Sequence, residues 1–283
     1  MAFVASKDMV NDAVSRGFAV PSFCVWNAEV METVFKVAAR LNAPVIVMNG
    51  PGEFPLIPPA SMAAIARGLE QRYTVTAALH LDHGDSLELV FDCIEAGYTS
   101  VMLDFSDQSF EKNSQALKQV VSVARAKGTS VEGELGRIGR GDKINTEGAK
   151  ESIFTDPEQA ACYVAETNID IFAPSVGNMH GNYREKPRLD FELIAKTRKA
   201  VGIPLALHGG TGIPKEVLKR GIACGIAKVN IATELIQTVR HSLRRQWKAD
   251  KNLWLPLALA EAMRDLEPVI EKWIMNTGAI GKV

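Results

Sequence analysis

The sequence predicts an α/β fold, a TIM (β/α)8 barrel with a C-terminal helical extension, from three observations. Eight short apolar runs recur along the chain, longer helix-like stretches separate them, and the runs are nearly continuous rather than alternating in polarity. Continuous runs read as strands covered on both faces, hence as a parallel sheet. Eight alternating units in 283 residues suit one closed barrel spanning 1–283, with a doubly wound sheet as the structural alternative.

In order, the first strand is "FAVPSF" at 18–23, followed by the helical pattern "AEVMETVFKVAARL" at 28–41, and the second is "PVIVMN" at 44–49. The third, "TVTAALHL" at 74–81, leads into "SLELVFDCIEAG" at 86–97, and the fourth, "TSVMLDF" at 99–105, into a helix over 109–128. The fifth to eighth are "TSVEGEL" at 129–135, "IDIFAPSV" at 169–176, "IPLALHG" at 203–209 and "AKVNIA" at 227–232. Several helical patterns end in Gly or Asn, as helix C-termini do. The segment from about 236 to 277 carries helix beyond the eighth strand and is expected to cover the barrel or to meet a partner subunit.

Composition narrows the function. A formal net charge of −1 supplies no general basic surface, so nucleic acid and acidic membranes are not expected partners and any anion site must be local. The start has no basic segment leading into a long apolar run, and no stretch reaches membrane-spanning length. Cys24, Cys93, Cys162 and Cys224 are scattered without metal-site spacing, so reduced thiols and a cytoplasmic location are expected.

Barrels of this class place their active sites at the C-terminal ends of the strands. The unusual polar residues fall there: His80, Asp82 and His83 on the third strand, Asp104 after the fourth, Glu132 and Glu134 on the fifth. His180 follows the sixth strand, His208 ends the seventh, and Asn230 and Thr233 mark the eighth. A lone strand-end histidine is usually a hydrogen-bonded loop residue, but His83, His180 and His208 come from three strand ends. Three imidazoles so placed can hold Zn²⁺ with a fourth position left for substrate. Asp82 would then lie beside the substrate as a general acid/base, with His80 hydrogen-bonded behind it. Two stretches suit phosphate: "HGGTG" at 208–212, with exposed backbone N–H groups, and "NIATE" at 230–234, which opens a helix.

The ordered motifs "AVPSF", "LHLDHG" at 79–84, "VEGELG" at 131–136, "VGNMHG" at 176–181, "LHGGTG" at 207–212 and "KVNIATE" at 228–234 resemble those of the class II, zinc-dependent ketose-bisphosphate aldolases, including the fructose- and tagatose-bisphosphate enzymes. The resemblance runs over essentially the whole chain. It implies zinc on His83, His180 and His208, with Asp82 moving the proton of the C4 hydroxyl. It also implies that Gly181, Gly209, Thr211, Asn230 and Thr233 hold a dihydroxyacetone phosphate half. Asp104 and Glu134 match positions for a secondary metal, and a monovalent cation near the phosphate is a further implied cofactor. The implied partner is a small sugar phosphate, and the implied assembly a homodimer or homotetramer.

The chain departs from that pattern in two places. Cys24 stands where many relatives carry Asn, and the loop after the fifth strand, "GRIGRGDKINTEG" at 136–148, is basic. Asp142 or Glu147 are candidates for a mobile carboxylate; Arg137, Arg140 and Lys143 make the loop basic, and Arg137 or Arg140 is expected to meet an anionic distal group such as phosphate, carboxylate or sulfonate. The stretch "MNGPGEF" at 48–54, including Asn49, and Arg264 are further candidates for contacts to the distal half, Arg264 across a subunit boundary. A Schiff-base role for Lys228 is set aside because it lies before Asn230, away from the strand end. A zinc hydrolase and a non-catalytic sugar-phosphate sensor are the competing functions.

Overall fold

The computed structural model describes residues 3–140, 153–183 and 187–283, with Arg140 described by its backbone alone. Helix α1 (Ser6–Arg16) precedes β1 (Val20–Cys24), α2 (Ala28–Arg40), β2 (Val45–Asn49), α3 (Pro59–Arg72), β3 (Ala77–Gly84), α4 (Leu87–Ala96) and β4 (Ser100–Leu103). Then follow α5 (Phe110–Lys127), β5 (Ser130–Leu135), β6 (Gly139–Arg140), α6 (Pro157–Thr167), β7 (Ile171–Pro174), β8 (Met179–His180) and α7 (Phe191–Val201). The chain continues through β9 (Leu205–Leu207), α8 (Lys215–Ala223), β10 (Ile226–Ile231), α9 (Thr233–Ala249) and α10 (Leu255–Thr277).

Eight strands close into a parallel barrel in the order β1-β10-β9-β7-β5-β4-β3-β2, which answers the doubly wound alternative. Helix starts follow from short polar caps. The side chains of Asn27, Ser86, Ser109, Asp156 and Asp190 accept from the first-turn N–H groups of α2, α4, α5, α6 and α7. Each such cap sits just past a strand end or its loop, so polar chemistry concentrates at one end of the barrel.

The sequence reading had no element before β1, yet α1 closes the opposite, N-terminal end. Its approach is fixed by Val4 N–H donating to Ala77 O (2.9 Å) and Lys7 N–H to Ser130 Oγ (3.0 Å), both at strand starts. A second unexpected feature is the parallel ribbon of β6 and β8, which pairs Gly139 with Met179 and Arg140 with His180. Two-residue strands carry too little periodicity to be read from sequence.

The helical extension expected from about 236 divides in two. Helix α9 follows β10 directly and is the eighth helix of the ring, so of this segment only α10 exceeds the repeat. Helix α10 packs against α9, α2, α8 and β1. Trp273 anchors it: the indole is buried (2 % exposed), and its N–H donates to Glu234 Oε2 on α9 at 2.7 Å. No helix among the described residues is long and apolar enough to cross a membrane. Replacing Trp273 by Ala is expected to lower the unfolding free energy by about 3–5 kcal/mol. The Trp254→Ala control, at a 68 % exposed position, should stay within about 0.5 kcal/mol, both read by urea denaturation.

Candidate active site and metal centre

The mouth is built outward from a polar barrel axis. Side chains alternate along a strand, so Glu132 and Glu134 share the inner face of β5, as His80 and Asp82 do on β3. Lys228 of β10 reaches inward and pairs with Glu132 Oε2 (2.9 Å), all of it out of solvent. The same ammonium meets His80 Nε2 at 3.2 Å, and His80 Nδ1 meets Ser100 Oγ at 2.7 Å. Ser6 of α1 donates to Ser100 Oγ at 2.6 Å, so a chain of buried polar groups runs from the N-terminal plug to the mouth.

Glu132 Oε1 completes that chain at His208, whose Nε2–H donates to it at 2.7 Å. This assignment of the tautomer leaves His208 Nδ1 as a lone pair, 2.9 Å from His83 Nε2. His83 Nε2 in turn lies 3.1 Å from His180 Nε2, while His83 Nδ1–H donates to Asp104 Oδ2 at 2.6 Å. Ring nitrogens of His83, His180 and His208 therefore converge, all within 4.8 Å. Tetrahedral ligands at ordinary Zn–N distances sit about 3.3 Å apart, so the donor set fits that ion with little adjustment. Carboxylates behind two of the imidazoles fix ring orientation, as metal-ligating histidines require.

His83 arrives by a local distortion. Pairing between β3 and β4 shifts register between Leu81 and Gly84, and His83 itself has φ +48°. A left-handed conformation is costly for a residue with a Cβ, and strain of this kind collects at functional sites. Here it lets the neighbours Asp82 and His83 both serve the mouth, which strict alternation forbids. His208 is brought beside His180 by a glycine: Gly209 has φ +65°, and a Cβ there would collide with the carbonyl oxygen of Met179.

Electrostatics favour positive charge at the cluster. Burial works to lower His83, but the Asp82 charge and the Asp104 hydrogen bond outweigh it and raise the imidazole to about 10. Burial, with Lys228 nearby, lowers His80 to about 3 and keeps it neutral. Burial acts to raise Glu132, yet Lys228 and His208 hold it well below the usual carboxylate range. Burial and the Asp104 charge push Glu134 up to about 8. Glu134 Oε2 has no hydrogen-bond partner among the described residues, and it shares a second ligand-like group with His83 and Asp104. Both features are what a carboxylate awaiting a cation would show.

Residues 4–282 match the family described as "Fructose-bisphosphate aldolase class-II". The chain belongs to that family. It is a class II aldolase, a carbon–carbon lyase, which sets the hydrolase and sensor readings aside. The YdjI aldolase from Escherichia coli K12 shares 32% identity and superposes with a TM-score of 0.88, covering 99% of each chain. A putative fructose-1,6-biphosphate aldolase from Coccidioides immitis shares 27% identity with a TM-score of 0.85, over 97% of this chain and 96% of that one. The fructose-bisphosphate aldolase from Campylobacter jejuni, at 22% identity, shares the fold, with a TM-score of 0.84 over 100% and 97%.

Within this aldolase the remaining sequence-picked residues fall into two groups. Asp82 lies in the mouth, where Asn230 Nδ2–H donates to its Oδ1 at 3.0 Å. Gly210 N–H donates to Asn230 O (2.9 Å), and Thr211 Oγ1 accepts from Glu234 N–H (3.2 Å), so the Gly-rich loop is tied to the opening turn of α9, where Thr233 is the first residue. Gly181 follows β8 with φ +84°. Asn49 does not face the mouth: Met48 meets Ser22 inside the barrel, so the next residue points outward, where Asn49 Oδ1 accepts from Tyr98 O–H at 2.9 Å. Arg264 is exposed on α10 and pairs with Glu261 of the same helix. Arg137 is held by backbone bonds to Ile153, and its carbonyl accepts from Ser175 Oγ at 3.0 Å. Asp142, Lys143 and Glu147 lie outside the described residues, as does the Arg140 side chain.

Sequence reasoning missed the partnership of Glu132 with His208 and the loop ties made by Tyr183, whose hydroxyl donates to Gly209 O and accepts from Met179 N–H, each at 3.0 Å. The first had a readable signal, since Glu132 and Glu134 share a strand face. The second had none, because a lone Tyr in a loop carries no periodicity. Lys228→Met should cost about 3–5 kcal/mol in denaturant unfolding, because it strands the Glu132 carboxylate in the barrel axis. The double variant Lys228→Met/Glu132→Met should recover much of that loss.

Proposed function

We propose that this aldolase is zinc-dependent and reversibly cleaves a ketose 1-phosphate or 1,6-bisphosphate, of the fructose- or tagatose-bisphosphate kind, to dihydroxyacetone phosphate and an aldehyde. The observation that carries the reading is the convergence of three imidazole nitrogens beside Asp82, with the glycine-rich loop after β9 and the opening turn of α9 across the mouth. His83, His180 and His208 would hold the metal, which when bound supplies the Lewis acid for the charge developing on the three-carbon fragment.

The protein's own groups handle the proton and the phosphate. Burial works to raise the Asp82 carboxyl, but His83 and His208 outweigh it and keep it ionised, ready to accept. In cleavage Asp82 takes the proton of the C4 hydroxyl, and in condensation it returns it to the new oxygen. Asn230 holds one Asp82 oxygen in place, so the other is the oxygen free for that transfer. The N-terminal turn of α9 has no cap from the Ala232 side chain, and apart from Glu234 N–H, which Thr211 accepts, and Gly210 N–H, which Asn230 accepts, the N–H groups of that turn and of the Gly209–Thr211 loop suit a phosphate dianion. A Schiff-base route is poorly served, since the Lys228 ammonium is spent on Glu132 and His80 inside the barrel. A monovalent cation near the phosphate, a secondary metal at Asp104 and Glu134, and a cytoplasmic homodimer or homotetramer belong to the same proposal.

Dihydroxyacetone phosphate in D₂O should exchange one C3 hydrogen stereospecifically with the zinc-loaded enzyme, and addition of a chelator should stop it. Absence of exchange by fully loaded enzyme would overturn the reading. Asp82→Ala should lower kcat by roughly 10²–10⁴-fold, the usual contribution of a positioned acid/base, while metal content by elemental analysis stays near one per subunit. Borohydride added with dihydroxyacetone phosphate should leave the protein's mass unchanged.

A further inference from the structure

Glu53 is a second carboxylate beside Asp82 that neither the motifs nor the metal centre explain. Its position follows from the turn after β2. Gly50 lies so close to β3 that a Cβ on it would collide with the carbonyl oxygen of Asp82, which draws the turn over the mouth. Gly50 N–H donates to Glu53 Oε2 at 2.8 Å, and Glu53 N–H donates back to Gly50 O at 3.0 Å. The carboxylate is thus half-buried, tied to the turn through Gly50 N–H and hydrogen-bonded to the Cys24 side chain. Cys24, at the end of β1, is its neighbour: burial, then the Glu53 and Asp82 charges, push that thiol up.

A separate observation marks the same side of the mouth as a place for hydrogen-bond donors. Asn230 is buried (5 % exposed), and its Oδ1 has no partner among the described residues, although its Nδ2 is bound to Asp82. Around Asp82 there are therefore two further acceptors, the Glu53 carboxylate and Asn230 Oδ1. Burying acceptors without donors is costly, so the complementary ligand brings O–H groups. An anionic substituent at this point would meet Glu53 and Asp82 at short range. Charge complementarity rejects it.

We propose that Glu53 is a specificity-determining residue, accepting a hydrogen bond from a hydroxyl on C5, the carbon next to the one whose oxygen Asp82 serves. The aldehyde half is then a neutral 2-hydroxyaldehyde at that carbon. This rests on the aldolase reading above, in which Asp82 acts at the C4 hydroxyl.

Condensation of dihydroxyacetone phosphate with glyceraldehyde and with propanal, which has the same carbon chain and no hydroxyls, tests it in wild type and in Glu53→Gln. The Gln amide oxygen retains the bond from Gly50 but loses the charge. Wild type should prefer glyceraldehyde. The variant should lose roughly five- to tenfold in kcat/KM for glyceraldehyde, the difference between a charged and a neutral acceptor, with less change for propanal. Its kcat/KM for glyceraldehyde 3-phosphate relative to glyceraldehyde should rise. Equal losses with glyceraldehyde and propanal would overturn the proposal and leave Glu53 a turn-holding residue. If Glu53→Gln does not fold, the wild-type ratio decides: equal kcat/KM for the two aldehydes overturns it. Wild-type exchange of dihydroxyacetone phosphate in D₂O, run alongside, separates the two levels. Exchange without aldehyde discrimination removes only the Glu53 role, whereas no exchange removes the aldolase reading beneath it.

Discussion

A single buried ion pair organises the centre of this barrel. Lys228 and Glu132 face each other across the axis with no solvent to stabilise either charge, and each must spend its remaining hydrogen-bonding capacity on a neighbour. Lys228 spends it on His80, and Glu132 spends it on His208. That second bond decides which nitrogen of His208 points to the mouth, so the chemistry above the axis inherits its geometry from the charge pair below it. Most barrels fill this space with branched apolar side chains. Here the bulk gives way to polar groups, which satisfy one another as far down as Ser6 on α1.

The candidate metal centre places the opposite demand on the backbone. Three imidazoles must meet from β3, β8 and the end of β9, and no regular strand delivers Asp82 and His83 to the same side. The register shift in β3 and the left-handed conformation of His83 resolve this at a local energetic cost. The Asp104 hydrogen bond then fixes the ring that the distortion has redirected. The β6–β8 ribbon pairs the backbone of His180 with Arg140, and the glycine at 209 lets the loop carrying His208 pass the Met179 carbonyl.

Around this centre the ligand surroundings divide by charge. The β9 and β10 ends offer backbone N–H groups and a helix N-terminus, suited to a phosphate. The ends of β1, β2 and β3 offer acceptors: Glu53, Asp82 and the amide oxygen of Asn230 from β10. A substrate anionic at one end and hydroxyl-rich at the other matches both sides at once. Under the proposed function such asymmetry would orient the substrate before the C3–C4 bond is broken, because the reversed pose would set phosphate against carboxylates.

Sequence by itself determined the barrel, because eight apolar runs with capped helices between them admit few other closed packings. It also singled out His83, His180 and His208, since histidines at three different strand ends form a pattern that survives without coordinates. Tertiary structure decided what alternation could not carry. Asn49 looked like a mouth residue by its place after β2, but the pleat turns it outward to Tyr98. Glu53 belongs to the stretch after β2 expected near the distal half, and the close approach of Gly50 to β3 is what brings it beside Asp82. Ion-pair partners such as Glu132 and Lys228 lie 96 positions apart in the chain, and their meeting depends on barrel closure and register rather than on any local signal. Periodicity encodes which elements form and which face is buried; the pairing of side chains across the axis is a property of the closed sheet.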